Sequence, residues 1–321
     1  MRILLLLVFL TAFFTTYTKA QAVTELTDKK DIAFAWNVRN YDGTSVDSLR
    51  FDIYYPTGAM SNKKYPVLID FHGGSFIGAT KTSVTDFSDQ FADNGFVVVA
   101  PDYRVGYNHS ETPCTDGSDS THLQEAIYRA MQDVNACIRY IANNADEYNV
   151  DTSWMFIGGA SAGATLALND GYINDSIASV HYPNTVADWG KLQTSGNNEP
   201  YNYTIKGICA QWGGMPYYDS LINSKSAIPT ILYKGGRDTN LPNGVGYYVK
   251  CPLNSVVRAG SGIYDVMTVL NAPCVFHFQP NAGHTAYDDA FCIDNASCFF
   301  KALMSHTPYS GFYQFYDPSC K

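Results

Sequence analysis

The sequence predicts a three-layer α/β fold, a mostly parallel central sheet of about eight strands with helices on both faces. Short apolar or β-branched runs recur along the chain, and helical patterns separate them. Most of these runs are apolar without alternation, so the strands they form are buried on both faces, as in a covered parallel sheet.

Taken in order, the strands begin with FDIYY at Phe51, YPVLIDF around Val67 and GFVVVAP around Val98. A helix is predicted from Thr121 to Asn143, where Leu123, Ile127, Val134, Ile138 and Ile141 recur near the 3.6-residue period. It delivers the chain to SWMFIGG around Phe156, and a second helix follows at once in AGATLAL. Residues 171–203 are rich in Asn, Asp, Tyr and Pro and read as an irregular excursion, either over a site or across an ordinary surface. The remaining strands are IKGICAQW around Ile208, IPTILYKGG around Ile231 and CVFHFQ around Phe276. Asp288 and Asp289 open a final helix as N-terminal capping charge. No internal repeat or linker-like tract interrupts this order, so residues 21–321 are expected to form one domain.

The first twenty residues have the pattern of an export signal: Arg2, an apolar run from Ile3 to Leu10, and the small-residue site Thr18-Lys19-Ala20. That run is too short to span a bilayer, and no second one follows, so a secreted product without a membrane span is expected, extracellular or periplasmic. A net charge of −9 argues against a polyanionic partner and so against nucleic acid. Eight cysteines in an exported chain imply disulfides. Proximity suggests the pairs Cys292–Cys298 and Cys251–Cys274, while Cys209, inside an apparent core strand, is expected to be a free buried thiol. Asn-x-Ser/Thr sites stand at Asn108, Asn174, Asn202 and Asn295, about as many as chance supplies, and say little about glycosylation.

The chemistry centres on Gly159-Ala160-Ser161-Ala162-Gly163. A G-x-S-x-G motif matters when a strand enters it and a helix leaves it, because that turn holds the serine hydroxyl exposed on a strained backbone. Both elements are predicted here. A serine becomes nucleophilic only when a base takes its proton, and in this fold the order is Ser, acid, His. His277 lies inside a predicted strand and His306 near the end of a helix, whereas His284 in NAGHTAYDD follows the last strand and is the candidate base. Asp238 in GGRDTNLP likewise follows a strand, and an acid there would orient the imidazole and stabilise its charged form. Asp219, Asp265, Asp288 and Asp289 are the rival acids. His72-Gly73-Gly74-Ser75-Phe76 after YPVLIDF would supply an oxyanion hole from the backbone amides of Gly73 and Gly74, with Ala162 as the partner donor and His72 bracing the loop.

With these residues in place the chain resembles the α/β-hydrolase superfamily, in particular the esterase and lipase group that shares the HGG loop with carboxylesterases and hormone-sensitive-lipase-like enzymes. The resemblance runs from LRFDIYYP at Leu49 through HGGSF, PDYRVG, NNADEYNVD, GGASAG and GGRDTNLP to AGHTAYD. It implies a serine esterase of the α/β-hydrolase sandwich type, acting through an acyl-enzyme on Ser161 and needing no cofactor or metal. Its substrate would be a small-molecule or polysaccharide-linked ester. A peptidase of the same fold and a noncatalytic binding protein on a hydrolase scaffold are the alternatives. Two departures stand out: the stretch between Asp238 and His284 is long and carries two cysteines, and no cap helices precede FDIYY.

Overall fold

The computed structural model describes residues 23–108, 114 and 118–320, so the export signal expected at 1–20 lies outside the described residues. The chain opens with an antiparallel pair, β1 (Lys29–Arg39) and β2 (Ser45–Tyr54), followed by β3 (Tyr65–Phe71), α1 (Thr85–Ala92) and β4 (Val97–Pro101). The long helix α2 (Ser118–Asn143) then leads to β5 (Val150–Ala160), α3 (Ala162–Tyr172), α4 (Asp175–His181), α5 (Pro183–Trp189) and β6 (Ile205–Gln211). Next come β7 (Gly214–Pro216), β8 (Thr230–Gly235), β9 (Gly244–Tyr247), β10 (Val256–Ala259) and α6 (Ser261–Val269). The chain closes with β11 (Cys274–Gln279), α7 (Asp289–Met304) and β12 (Gly311–Gln314).

The main sheet has nine strands in the order β1-β2-β4-β3-β5-β6-β8-β11-β12, where about eight were expected and seven apolar runs mark strands in the sequence, and from β4 onward every pairing is parallel. The two strands absent from the sequence reading lie at the sheet's edges. β1 buries few residues and β12 is short and half exposed, so neither carries a continuous apolar signature. Apolar layers cover both faces. On one, Met131, Val134 and Ile138 of α2 and Leu166 of α3 pack with Ile69, Val99 and Ile157 of the sheet. On the other, Phe91 of α1 and Phe299 and Phe300 of α7 surround Phe96 and Phe156, with the Phe156 and Phe300 rings stacked at 4.1 Å.

Residues 171–203 are more regular than composition suggested. Asn174 caps α4 by accepting the Ile177 amide at 3.0 Å, and Pro183 begins α5. The segment after α5 is pinned by the buried Arg139 of α2, which donates to Asn197 Oδ1 at 2.7 Å and to the Glu199 carbonyl at 2.6 Å. The stretch between Asp238 and His284 also folds, forming with β7 a three-stranded antiparallel sheet in the order β7-β10-β9.

Both expected disulfides are wrong. The bonds are Cys114–Cys251 and Cys298–Cys320, and Cys292 and Cys274 are free and buried. Six residues apart on α7, Cys292 and Cys298 point about 120° apart around the helix axis: one is wholly buried and the other is bonded to Cys320 of the C-terminal segment. Cys274 begins a core strand and cannot turn out toward Cys251. Cys209 is a free buried thiol, as its place in β6 suggested.

Candidate active site

Parallel pairing brings the C-terminal ends of β3, β5, β6, β8 and β11 to one edge of the sheet, and His72, Gly73, Gly74, Ser161, Ala162, Asp238 and His284 all lie within a few residues beyond one of them. At the end of β5 the chain turns sharply. Ser161 sits at φ 57° and ψ −113°, a conformation that costs on the order of 1–3 kcal/mol for a residue with a side chain. The turn is held by the Ser161 amide donating to the Gln211 carbonyl at 2.9 Å and by the Thr165 amide closing the first turn of α3 on the Ser161 carbonyl at 2.9 Å. The flanking glycines answer to contact: a Cβ on Gly163 would stand 1.8 Å from the Phe71 carbonyl oxygen, and one on Gly159 2.3 Å from the same atom. Glycine at both places lets the elbow seat against the end of β3.

Ser161 Oγ lies 2.7 Å from His284 Nε2, and His284 Nδ1 lies 2.9 Å from Asp238 Oδ2. A carboxylate only accepts, so Nδ1 carries the hydrogen and Nε2 is left to accept the serine hydroxyl. Asp238 is held by four donors. The Asn240 and Leu241 amides reach Oδ1 at 2.8 and 3.2 Å, and Oδ2 takes His284 together with the ammonium of Lys234. Burial alone would push this carboxyl up. The hydrogen bonds from His284 and Lys234, with the charge of Lys234, outweigh it and hold the group below its ordinary value. The turn that carries Asp238 and the loop that carries His284 are tied together by the Gly236 amide to the Gln279 carbonyl at 2.8 Å and the Arg237 amide to the Ala282 carbonyl at 2.9 Å. They fit because residue 235 is glycine: a Cβ there would meet the Gly283 carbonyl oxygen at 1.9 Å.

The loop after β3 lies against the elbow, where a Cβ on Gly73 would come within 3.1 Å of the Ala160 carbonyl oxygen. Gly74 has φ +109°, and the amides of Gly73, Gly74 and Ala162 make no hydrogen bond among the described residues. His72 is buried, donates from Nδ1 to the Gly73 carbonyl at 2.7 Å, and stacks on Tyr103 at 4.1 Å. Burial pushes its pKa down. The Tyr103 hydroxyl donates to the His72 carbonyl at 2.7 Å, and the neighbouring Arg104 is locked by Asp133 of α2, with its Nε 2.9 Å from Oδ2. The Tyr-Arg pair of PDYRVG thus ties the loop to α2.

The rival residues are placed elsewhere. His277 is buried in β11 against Ser319, Tyr233 and Tyr313, and burial pushes its pKa down to about 4. His306 follows α7 beside Trp154, Asp265 is in α6, and Asp288 caps α7 by accepting the Phe291 amide at 2.9 Å. Beside α3 a cavity of about 270 Å³ is lined by Leu123, Ile127, Tyr128 and Met131 of α2, Thr165 of α3 and Met215 of β7. Among the described residues no group of three or more His, Cys, Asp or Glu could hold a metal ion, and no helix is long and apolar enough to cross a membrane. Two contributors escaped the sequence reading: Lys234, which looks like an interior strand residue, and Gly235, whose role lies in a contact 48 residues away along the chain.

Comparison with known proteins bears on this edge of the sheet. The BD-FAE family model matches residues 51–213, from β2 to just beyond β6. The cAMP-regulated D2 protein of Dictyostelium discoideum is 30% identical over 163 residues, 48% of this chain and 28% of that protein. Carboxylesterase 3B of Mus musculus is 32% identical over 123 residues, 38% of this chain and 20% of the enzyme. The chain therefore spans under a third of the length of these relatives. Among solved structures, a truncated carbohydrate esterase from gut microbiota superposes with a TM-score of 0.59 at 17% identity, covering 88% of this chain and 98% of that one. Propionate-bound esterase Est2 of Thermogutta terrifontis gives 0.56 at 15% identity, covering 86% and 95%. These structural likenesses establish an α/β-hydrolase fold.

Proposed function

We propose that this chain, which belongs to the BD-FAE family of α/β-hydrolases, is a serine hydrolase that cleaves carboxylic esters through an acyl-enzyme on Ser161. The observation that carries the reading is the hydrogen-bonded series Ser161 Oγ, His284, Asp238 at a strained strand-to-helix turn. His284 Nε2 takes the Ser161 proton as Oγ attacks the ester carbonyl carbon. The Gly73, Gly74 and Ala162 amides stabilise the tetrahedral oxyanion, and His72, stacked on Tyr103, braces the loop that presents two of them. His284 then protonates the departing alcohol, and in the second half-reaction it activates the water that releases the acid. Asp238 keeps the imidazole in one tautomer and balances its charge while protonated.

Export is part of this proposal, supported by the N-terminal pattern and by two disulfides. So is a small-molecule or carbohydrate-linked ester as substrate. Two of the similar structures are a carbohydrate esterase and a bifunctional GH43-CE protein of Bacteroides eggerthii, and the cavity beside α3 offers an apolar wall for an acyl or alcohol group. The test is hydrolysis of p-nitrophenyl acetate by the purified chain beside Ser161→Ala, for which a loss of about 10⁴-fold or more is expected. Equal rates for the two proteins overturn the reading. Acetylated xylan, feruloyl esters and triglycerides then rank the substrate classes.

A further inference from the structure

The catalytic carboxylate has a partner that the triad does not require. Lys234 is the penultimate residue of β8, its side chain is 1% exposed, and its ammonium donates to Asp238 Oδ2 and, at 3.0 Å, to the Leu241 carbonyl. Its alkyl stem passes over Gly260, where a Cβ would come within 3.1 Å of Lys234 Cγ. The oxygen it contacts is the one that accepts His284 Nδ1. Burying an ammonium costs several kcal/mol unless a counter-charge meets it, and here Asp238 is that counter-charge. We propose that Lys234 is a positioning residue for the triad: by sharing Oδ2 with His284 it fixes the carboxylate's rotation and opposes the positive charge that the imidazole gains during catalysis. The inference rests on the triad reading given above.

The sign follows from the charges. Asp238 attracts the imidazolium and Lys234, on the same carboxylate oxygen, repels it, so the two charges act on the base in opposite directions. The other ionisable groups facing this carboxylate are His284 itself and Tyr248, whose pKa is raised by burial and further by Tyr107 and Asp238. Arg237 turns away to Asn281, and His277 faces Ser319. Removing the ammonium while keeping the shape should therefore raise the pH at which the His–Asp pair takes up a proton.

The experiment compares wild type, Lys234→Met and Lys234→Gln, each checked for folding by circular dichroism. For Lys234→Met the acid limb of the kcat/KM profile for p-nitrophenyl acetate moves up by about one pH unit. For Lys234→Gln, which keeps a donor and loses the charge, the limb moves likewise while the plateau rate stays closer to wild type. A purely structural role would lower the whole profile without moving its limb, and an unmoved limb in a folded variant overturns the proposal. Titration of the His284 ring by NMR in ¹⁵N-histidine-labelled protein reads the same shift without turnover. Failure of esterase activity in wild type thus remains distinguishable from failure of this inference.

Discussion

Two aspartates stand at the C-terminal ends of parallel strands in one sheet, Asp70 on β3 and Asp238 just after β8, and they are 2% and 6% exposed. Their carboxyls are nonetheless shifted in opposite directions. Asp238 receives four donors, two of them cationic or able to become so, and its carboxyl is held low. Asp70 has no side-chain hydrogen bond or ion pair among the described residues and borders a cavity of about 270 Å³ shared with Gly73, Gly74, Ala160, Gln211 and Asp289. Burial, and then the like charge of Asp289, push Asp70 up to about 8. Burial sets a penalty of the same sign for both, and the donors built around each decide whether it is overcome. The end of β8 is therefore made for a charge, and the end of β3 for a neutral acid.

Exchanging each carboxyl for its amide tests the contrast most strongly. Asp238→Asn should lower kcat by about 10⁴-fold, because an amide can donate to Nδ1 and impose the wrong tautomer. Asp70→Asn replaces a neutral acid by a neutral amide, so that its kcat at pH 7 should remain within about threefold of wild type. Comparable losses would show that the two strand ends are not different in kind. A second, smaller effect is expected at the β8 end from Gly235→Ala, whose Cβ would collide with the Gly283 carbonyl and push the His284 loop away. A loss of about 1–3 kcal/mol in chemical denaturation is expected, together with reduced kcat.

A further difference between the two strand ends appears in the dependence of stability on pH. A carboxyl whose folded pKa lies above the unfolded value of 3.8 stabilises the fold fully only below 3.8 and loses that contribution as pH rises toward 8. Wild type should lose stability across this window through Asp70, at most about 1.4 kcal/mol per pH unit, and Asp70→Asn should remove that slope. Asp238 acts in the opposite direction: its contribution is present above 3.8 and fades as pH falls below it. Thermal melts of wild type and Asp70→Asn from pH 4 to 8 measure the difference, and parallel curves would assign Asp70 an ordinary carboxyl.

How far the sequence could be read depended on the range of the interaction. The elbow was legible because strand, turn, serine and helix are contiguous, and the glycines that admit β3 lie two residues on either side of Ser161. His284 and Asp238 were legible by their places just after strands, since parallel pairing gathers such ends at one edge. Lys234 was not, because a lysine inside IPTILYKGG has no period or motif that marks it, and its partner becomes visible only once the β8 turn folds back. The helices α4 and α5 were hidden by a polar composition whose regularity comes from caps and from Arg139 reaching across.

By itself, then, the sequence determined the layered α/β architecture and marked the elbow at Ser161, the candidates Asp238 and His284 after their strands, and the glycine loop after β3. Each is written in local periodicity or in turn chemistry spanning a few residues. Tertiary structure alone decided which cysteines pair, how the edges of the sheet close, and which of two buried aspartates is surrounded by donors. Those outcomes depend on atoms brought within hydrogen-bond or bonding distance from far along the chain, as with Cys114 and Cys251 across 137 residues, and no local pattern records them.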